Sequence, residues 1–215
     1  MYKRGGKRAF DLLLAALALV ILMPVIGIIS VLVRVKLGSP VLFRQQRPGL
    51  HGRPFAIYKF RTMFDARDAQ GNLLPDKDRL SPFGRFLRST SLDELPELWN
   101  VFRGDMSLVG PRPLLIRYMP YFTADERLRF QARPGITGLA QVSGRNDLDW
   151  DARVAADVRY VQDCSLSLDL RILFLTIVHT VMRRGVQADP SAVMLDFDEE
   201  RRQRGTYTVR ETEGV

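Results

Sequence analysis

The sequence holds one cysteine and two histidines in 215 residues. With Cys164 alone no internal disulfide can form, and a reducing compartment suits the chain better than a secreted one. His51 and His179 lie in no metal-binding or catalytic spacing and there is no CxxC pair, which argues against zinc and against a histidine-dependent nucleophile. Neither a GK[ST] phosphate loop nor a GxGxxG fingerprint is present. Acidic residues are in deficit: 24 Asp and Glu against 32 Lys and Arg leave a formal charge of +8. That surplus suits a phosphorylated substrate, anionic lipid or nucleic acid alike. Carboxylate chemistry is what these absences leave.

Against them stands one long apolar run. Residues 12–33 (LLLAALALVILMPVIGIISVLV) carry no charge, and at about 1.5 Å per helical residue they are long enough to cross a bilayer. A cleaved secretory signal has a shorter apolar core of about 7–15 residues ending in small residues. Here the run leads into Arg34, Val35 and Lys36, so a retained anchor is expected. Lys3, Arg4, Lys7 and Arg8 precede the run, and Arg34, Lys36, Arg44 and Arg47 follow it. A single crossing normally has asymmetric basic flanks, and Pro24 removes one helical hydrogen bond near the middle. Two readings stay open on these grounds: a hairpin that dips into one leaflet and returns, and a proline-kinked span.

Past the anchor, Ser39-Pro40 and Arg47-Pro48-Gly49 mark turns around a short strand at 41–43. Residues 54–63 (PFAIYKFRTM) predict a strand that buries Phe55, Ile57 and Phe60 and presents Lys59 and Arg61 to a ligand. Residues 65–79 read as a solvated connector. A helix is predicted over 80–87, with Leu80, Phe83, Phe86 and Leu87 on one face suited to a membrane interface or to a core. Further helices are predicted over 95–102, ending near Gly104; over 123–132, with Thr123 and Glu126 as a capping box; over 151–161; and over 166–182, where Asp169 and Arg171 interrupt an apolar stretch.

The densest chemistry lies in residues 89–113 (STSLDELPELWNVFRGDMSLVGPRP). Asp93 and Glu94 fall at a helix start, with Pro96 where a missing N–H costs little. Unsatisfied N–H groups and the helix dipole favour anions there. A purely structural reading exists, since Ser91-x-x-Glu94 matches a capping box, worth about 1 kcal/mol. Arg88, Arg103 and Arg112 around one acidic pair tilt the reading toward a phosphate site. Arginine forks match phosphate oxygens, one carboxylate can attack, and its neighbour can take a divalent cation.

The segments KFRTM at 59–63, SLDELPELWNVFRGDMSLVGPRP at 91–113 and RPGITGLAQVSGRN at 133–146, with Asp157 and Asp169, resemble the bacterial sugar transferases, or monotopic phosphoglycosyl transferases. Within that family the likeness is to the small transferase that initiates bacterial N-linked glycan assembly. The resemblance implies a helix-rich α+β fold: a re-entrant membrane helix hairpin at 1–36, a small cytoplasmic catalytic domain at 37–185 with interfacial amphipathic helices, and a tail at 186–215 with no assigned role. Met23 stands where the family often has a serine before the proline.

By position, Asp93 is similar to the family's nucleophile and Glu94 to its Mg²⁺ ligand. The implied reaction moves a phosphosugar from a UDP-sugar to polyprenol (undecaprenyl) phosphate through a covalent aspartyl intermediate, with release of UMP. It takes place at the cytoplasmic face of the bacterial inner membrane. Arg112 is the first candidate for phosphate binding, with Lys59, Arg61, Arg88, Arg133 and Arg145 beside it and Asp157 orienting one of these cations. The implied partners are the UDP-sugar, polyprenol phosphate and membrane lipid, without nucleic acid; a homodimer is compatible with them. The competing reading is a noncatalytic, membrane-anchored basic adaptor for anionic lipid or nucleic acid, which leaves the GPRP and RPGITG loops unexplained.

Overall fold

The uncharged run lies inside one 32-residue helix, α1 (Gly6–Leu37), with Pro24 within it. The computed structural model describes residues 2–144, 148–182 and 195–205. Among them α1 is the helix long and apolar enough to cross a membrane, with a mean hydropathy of 3.0 over a window that is 11% buried. Leu13, Leu17, Val20, Ile21, Met23 and Ile28 are exposed. The chain passes Pro24 inside a single helix, not as two helices joined by a loop, because the ring removes only one backbone donor.

Both ends of α1 are tied to the rest of the chain. Arg8 donates to the carbonyls of Val101 (2.6 Å) and Phe102 (2.8 Å) at the end of α4 (Glu97–Arg103), where helical carbonyls lack partners. Lys3 donates to Val161 and Gln162, and Lys7 pairs at 2.7 Å with Asp169 of α7 (Leu166–Val181). Asp11 is buried and accepts from Ser107 Oγ (2.7 Å) and Leu108 N–H (3.1 Å). At the other end the Arg61 guanidinium donates to the Leu37 and Ser39 carbonyls. The basic flanks thus act as structural joints as well as charge.

Strands β1 (Leu42–Pro48) and β2 (Pro54–Phe60) form an antiparallel hairpin in which Leu42 faces Phe60 and Pro48 faces Pro54. The two prolines close the ladder because neither can donate to it. Ile57 and Phe60 are buried as predicted, and Phe55 is half-buried. The two proline-punctuated loops meet through a short parallel pair, β3 (Ser107–Val109) and β4 (Gly135–Thr137). Their approach needs glycine: a Cβ on Gly135 would stand 2.1 Å from the Gly110 nitrogen, and one on Gly110 would stand 2.3 Å from the Arg133 carbonyl.

Short helices α2 (Asp76–Arg79), α3 (Pro82–Ser89) and α5 (Leu139–Ser143) join α4, α6 (Trp150–Asp163) and α7 around these strands. Ser81 caps α3 through the Gly84 N–H, and Gly104 ends α4 at φ 95°. Leu87 of α3 is buried while Phe86 is half exposed, and on α7 Ile172 is buried while Phe174 and Ile177 face outward. Thr123 and Glu126 do form the reciprocal hydrogen bonds of a capping box, but the turn that follows, Glu126–Gln131, is 3₁₀. Within the tail, α8 (Phe197–Arg204) folds back on the domain. Phe197 is fully buried, with ring centroids 4.7 Å from Phe122, 5.3 Å from Trp150 and 5.6 Å from Tyr118. Arg201 pairs with Glu126 (2.5 Å) and Asp151 (2.8 Å).

Candidate active site

Residues Leu92–Glu94 form one 3₁₀ turn between α3 and α4, entered through Ser91 in the left-handed region at φ 55°. That entry excludes the capping box: Ser91 caps nothing, and the Glu94 carboxylate instead accepts from Lys59 (2.5 Å) and Arg112 (3.1 Å). Leu92 and Leu95 pack on apolar clusters shared with α1, so Asp93 is held between two half-buried anchors.

The two adjacent carboxylates differ. Burial raises the Glu94 pKa, but the charges of Arg112 and Lys59 prevail and bring it down to about 2. Asp93 is 8% exposed, and among the described residues no side chain hydrogen-bonds its carboxyl. Burial, then the charge on Glu94, hold its pKa above the usual carboxylate range, against the pull of Lys59 and Arg88. A third carboxylate joins them from the first turn of α4. Glu97 is buried, lies 3.1 Å from Lys59, and is lifted to about 7 by burial and by Glu94. The sequence reading missed Glu97, although its spacing of three and four residues from Glu94 and Asp93 would have found it.

Asp93 and Glu94, with Glu97 behind them, border a cavity of about 2000 Å³ that Lys59, Arg88, Arg112 and Asp157 also line. Arg88 is oriented by a 3.1 Å hydrogen bond to Thr62 Oγ1. Two predicted cations are placed differently, and a third is not among the described residues. Arg61 touches the cavity, but its guanidinium is engaged by the Leu37, Ser39 and Met63 carbonyls. Arg133 donates to the Gly104 carbonyl (2.8 Å) and lies outside the cavity lining. Arg145 falls outside the described residues.

Asp157 does orient a cation, though not one of those predicted. It pairs at 2.6 Å with the buried Arg129, which also donates to the Arg112 carbonyl (2.7 Å). Arg47 and Arg153 line the cavity too. Burial and the nearby Arg112 lower both of their pKa values, as expected where guanidinium groups crowd a site built for anions. No local sequence signal marks this, because Arg47, Arg112 and Arg153 come from three distant segments.

A divalent cation fits the donor set in kind. Among the described residues no three ligating side chains form a preformed cage. Mg²⁺, however, usually takes one or two carboxylates and completes its shell with water and substrate phosphate. Glu94 offers such an oxygen, and Glu97 Oε1 is buried without a hydrogen bond, held only by its ion pair with Lys59.

Comparison with known proteins agrees with this arrangement. The profile of the family described as bacterial sugar transferase matches residues 2–183. An uncharacterised sugar transferase of Bacillus subtilis (strain 168), EpsL, is 51% identical over 181 residues, covering 84% of this chain and 90% of that protein. The UDP-glucose:undecaprenyl-phosphate glucose-1-phosphate transferase of Caulobacter vibrioides is 42% identical over 181 residues, covering 80% and 68%. The undecaprenyl-phosphate galactose phosphotransferase of Salmonella typhimurium is 41% identical over 195 residues, covering 83% of this chain but 40% of that longer protein. An acidic pair in a cation-lined cavity, next to a long apolar helix and inside a match over 2–183, places this chain in the bacterial sugar transferase family.

Proposed function

We propose that this chain transfers a sugar phosphate from a UDP-sugar to polyprenol phosphate, and that Asp93 forms the covalent bond to the transferred phosphorus. The observation that carries the proposal is the inequality of the acidic pair. Glu94 Oε1 is held by two cations, while Asp93 borders the cavity with no side-chain hydrogen bond to its carboxyl. Names of two similar proteins supply the substrate class, and family membership weighs against the adaptor reading. Because one of those names specifies glucose and the other galactose, the proposal names no sugar.

In the first displacement Asp93 attacks the sugar-bearing phosphorus, and the bond to the bridging oxygen breaks, so that UMP leaves with its electron pair. In the second, an oxygen of polyprenol phosphate attacks the same phosphorus. The aspartyl bond breaks, Asp93 is restored, and polyprenyl diphosphate sugar is the product. Lys59 and Arg88 oppose the burial that disfavours ionised Asp93, and Arg112, fixed through Arg129, offsets phosphate charge. Bound by Glu94 with Glu97 alongside, Mg²⁺ would supply further charge neutralisation on the diphosphate.

Both ends of α1 are bonded to one domain, which supports the re-entrant reading and a seat on the cytoplasmic face of the inner membrane. A straight helix of 32 residues would separate its ends by about 48 Å. Cysteines placed singly at positions 3 and 40 in a Cys164-free background should both resist an impermeant reagent added to intact cells. Labelling of one alone would replace the re-entrant reading with a span.

The decisive experiment omits the acceptor. Incubation with a panel of UDP-sugars should yield a protein heavier by one phosphosugar, with one equivalent of UMP, and Asp93→Asn should abolish both. UMP release without any adduct would overturn the covalent route, and no release with any UDP-sugar, acceptor present, would overturn the activity.

A further inference from the structure

The proposed chemistry accounts for the acidic pair and the cations but leaves one wall of the cavity without a role. That wall is made where α5 packs on α6. Gln141 of α5 lines the cavity, and both its amide atoms, Nε2 and Oε1, are buried with no hydrogen-bond partner among the described residues. Asp157 of α6 lines it too, 3% exposed. Its Oδ2 is held by Arg129, while Oδ1 is buried and makes no hydrogen bond. Native proteins rarely leave such atoms unpaired, and since none of them is exposed in the free chain, a ligand meets them by turning these side chains toward the cavity.

The chemistry of these atoms narrows what that is. Arg47 Nε and Arg79 Nε are also unpaired on the cavity lining, and as donors they suit the oxygens of a phosphate. Gln141 Oε1 and Asp157 Oδ1 are acceptors, which a phosphate oxygen cannot satisfy and an apolar polyprenyl chain cannot either. Gln141 Nε2 needs an acceptor in the same place. The matching group therefore donates and accepts at once, as sugar hydroxyls do and as the imide edge of uracil does.

We infer that Gln141 and Asp157 form a hydrogen-bonding wall that recognises the uncharged part of the nucleotide sugar, apart from the arginines that hold its phosphates. This rests on the activity proposed above, since the UDP-sugar is the substrate that carries both hydroxyls and an imide. Asp157 also couples the two functions. It fixes Arg129, and Arg129 fixes the Arg112 carbonyl, so wall and phosphate cradle share one support.

Gln141 carries the test, because Asp157 is also bound to Arg129 and its replacement would disturb both. Gln141→Leu keeps the approximate volume and removes both amide atoms, and Gln141→Glu keeps an acceptor and removes the donor. The Leu variant is expected to raise KM for the UDP-sugar about tenfold or more. It should change kcat far less and leave KM for polyprenol phosphate unchanged, with the Glu variant falling between it and wild type. A UMP inhibition constant that weakens in parallel assigns the wall to the uridine, and one that stays constant assigns it to the transferred sugar; both outcomes support the inference. An unchanged KM for the UDP-sugar overturns it, as does a shift confined to polyprenol phosphate. Equilibrium dialysis of UDP-sugar with Asp93→Asn protein, with and without Gln141→Leu, reads the wall without turnover. Failure of the chemistry and failure of the wall are then separate results.

Discussion

Two buried carboxylate clusters, each built around a lysine, end in opposite states. Where α1 docks, Asp169 accepts from Tyr2 (2.6 Å), Lys7 (2.7 Å) and Tyr160 (2.7 Å), and Asp11 accepts from Ser107 and the Leu108 N–H. In the cavity Lys59 serves Glu94 and Glu97 together, and Asp93 has no side-chain hydrogen bond. The first cluster is satisfied within the chain and behaves as a joint. The second is crowded with like charge and short of partners, the condition expected of a binding site and not of a joint.

Exchanging the two kinds of damage tests this contrast. The largest effect on activity is expected from Asp93→Asn, with turnover down about 10³-fold or more. Its thermal midpoint should hold or rise, since a carboxylate whose ionised form is disfavoured has been replaced. Asp169→Ala should do the reverse. Removing the shared acceptor of Tyr2, Lys7 and Tyr160, with Asp11 left beside Lys7 at 3.6 Å, costs about 1–3 kcal/mol, read as a lower thermal midpoint, with the remaining folded fraction still able to form the covalent adduct. A loss of stability in the first variant, or of adduct alone in the second, would erase the distinction.

The smallest expected effect is a pH slope. Glu97 sits at about 7 in the folded chain against an ordinary 4.5, so the folded state binds more protons between those values. Stability should therefore fall as pH rises from 4.5 to 7 and level off above. Glu94, held down to about 2, contributes stability that is complete above 4.5 and is lost only as pH falls toward that lower value. Glu97→Gln should flatten the slope between 4.5 and 7 in a series of thermal melts. An unchanged slope would remove Glu97 from the strained cluster.

What could be read from the sequence was what adjacent residues carry together. The apolar run, the strand beginning at Pro54, the helix end at Gly104 and the acidic pair at 93–94 each declare themselves within a few positions. What could not be read depends on distant partners. Lys7 and Asp169 are 162 residues apart, and Asp169 looks like an interruption of an apolar helix until Tyr2 and Tyr160 arrive. Arg129 reads as one more surface arginine until Asp157 meets it from 28 residues away. The left-handed Ser91 has no signal in composition, yet it decides whether Glu94 caps a helix or faces two cations. The helix at Phe197–Arg204 hides for a related reason: Phe197 is its one apolar buried residue, beside the buried Asp198 and Arg201, too little for a periodic apolar pattern.

The packing of Leu92 and Leu95 against the clusters that hold α1 has a practical consequence. The proposed nucleophile, Asp93, stands on a floor laid partly by α1, so whatever surrounds α1 is also part of the site's mechanics. Detergent is then an experimental variable of the chemistry and not merely a vehicle. Turnover compared across bilayers of graded thickness would measure how stiffly that floor is connected.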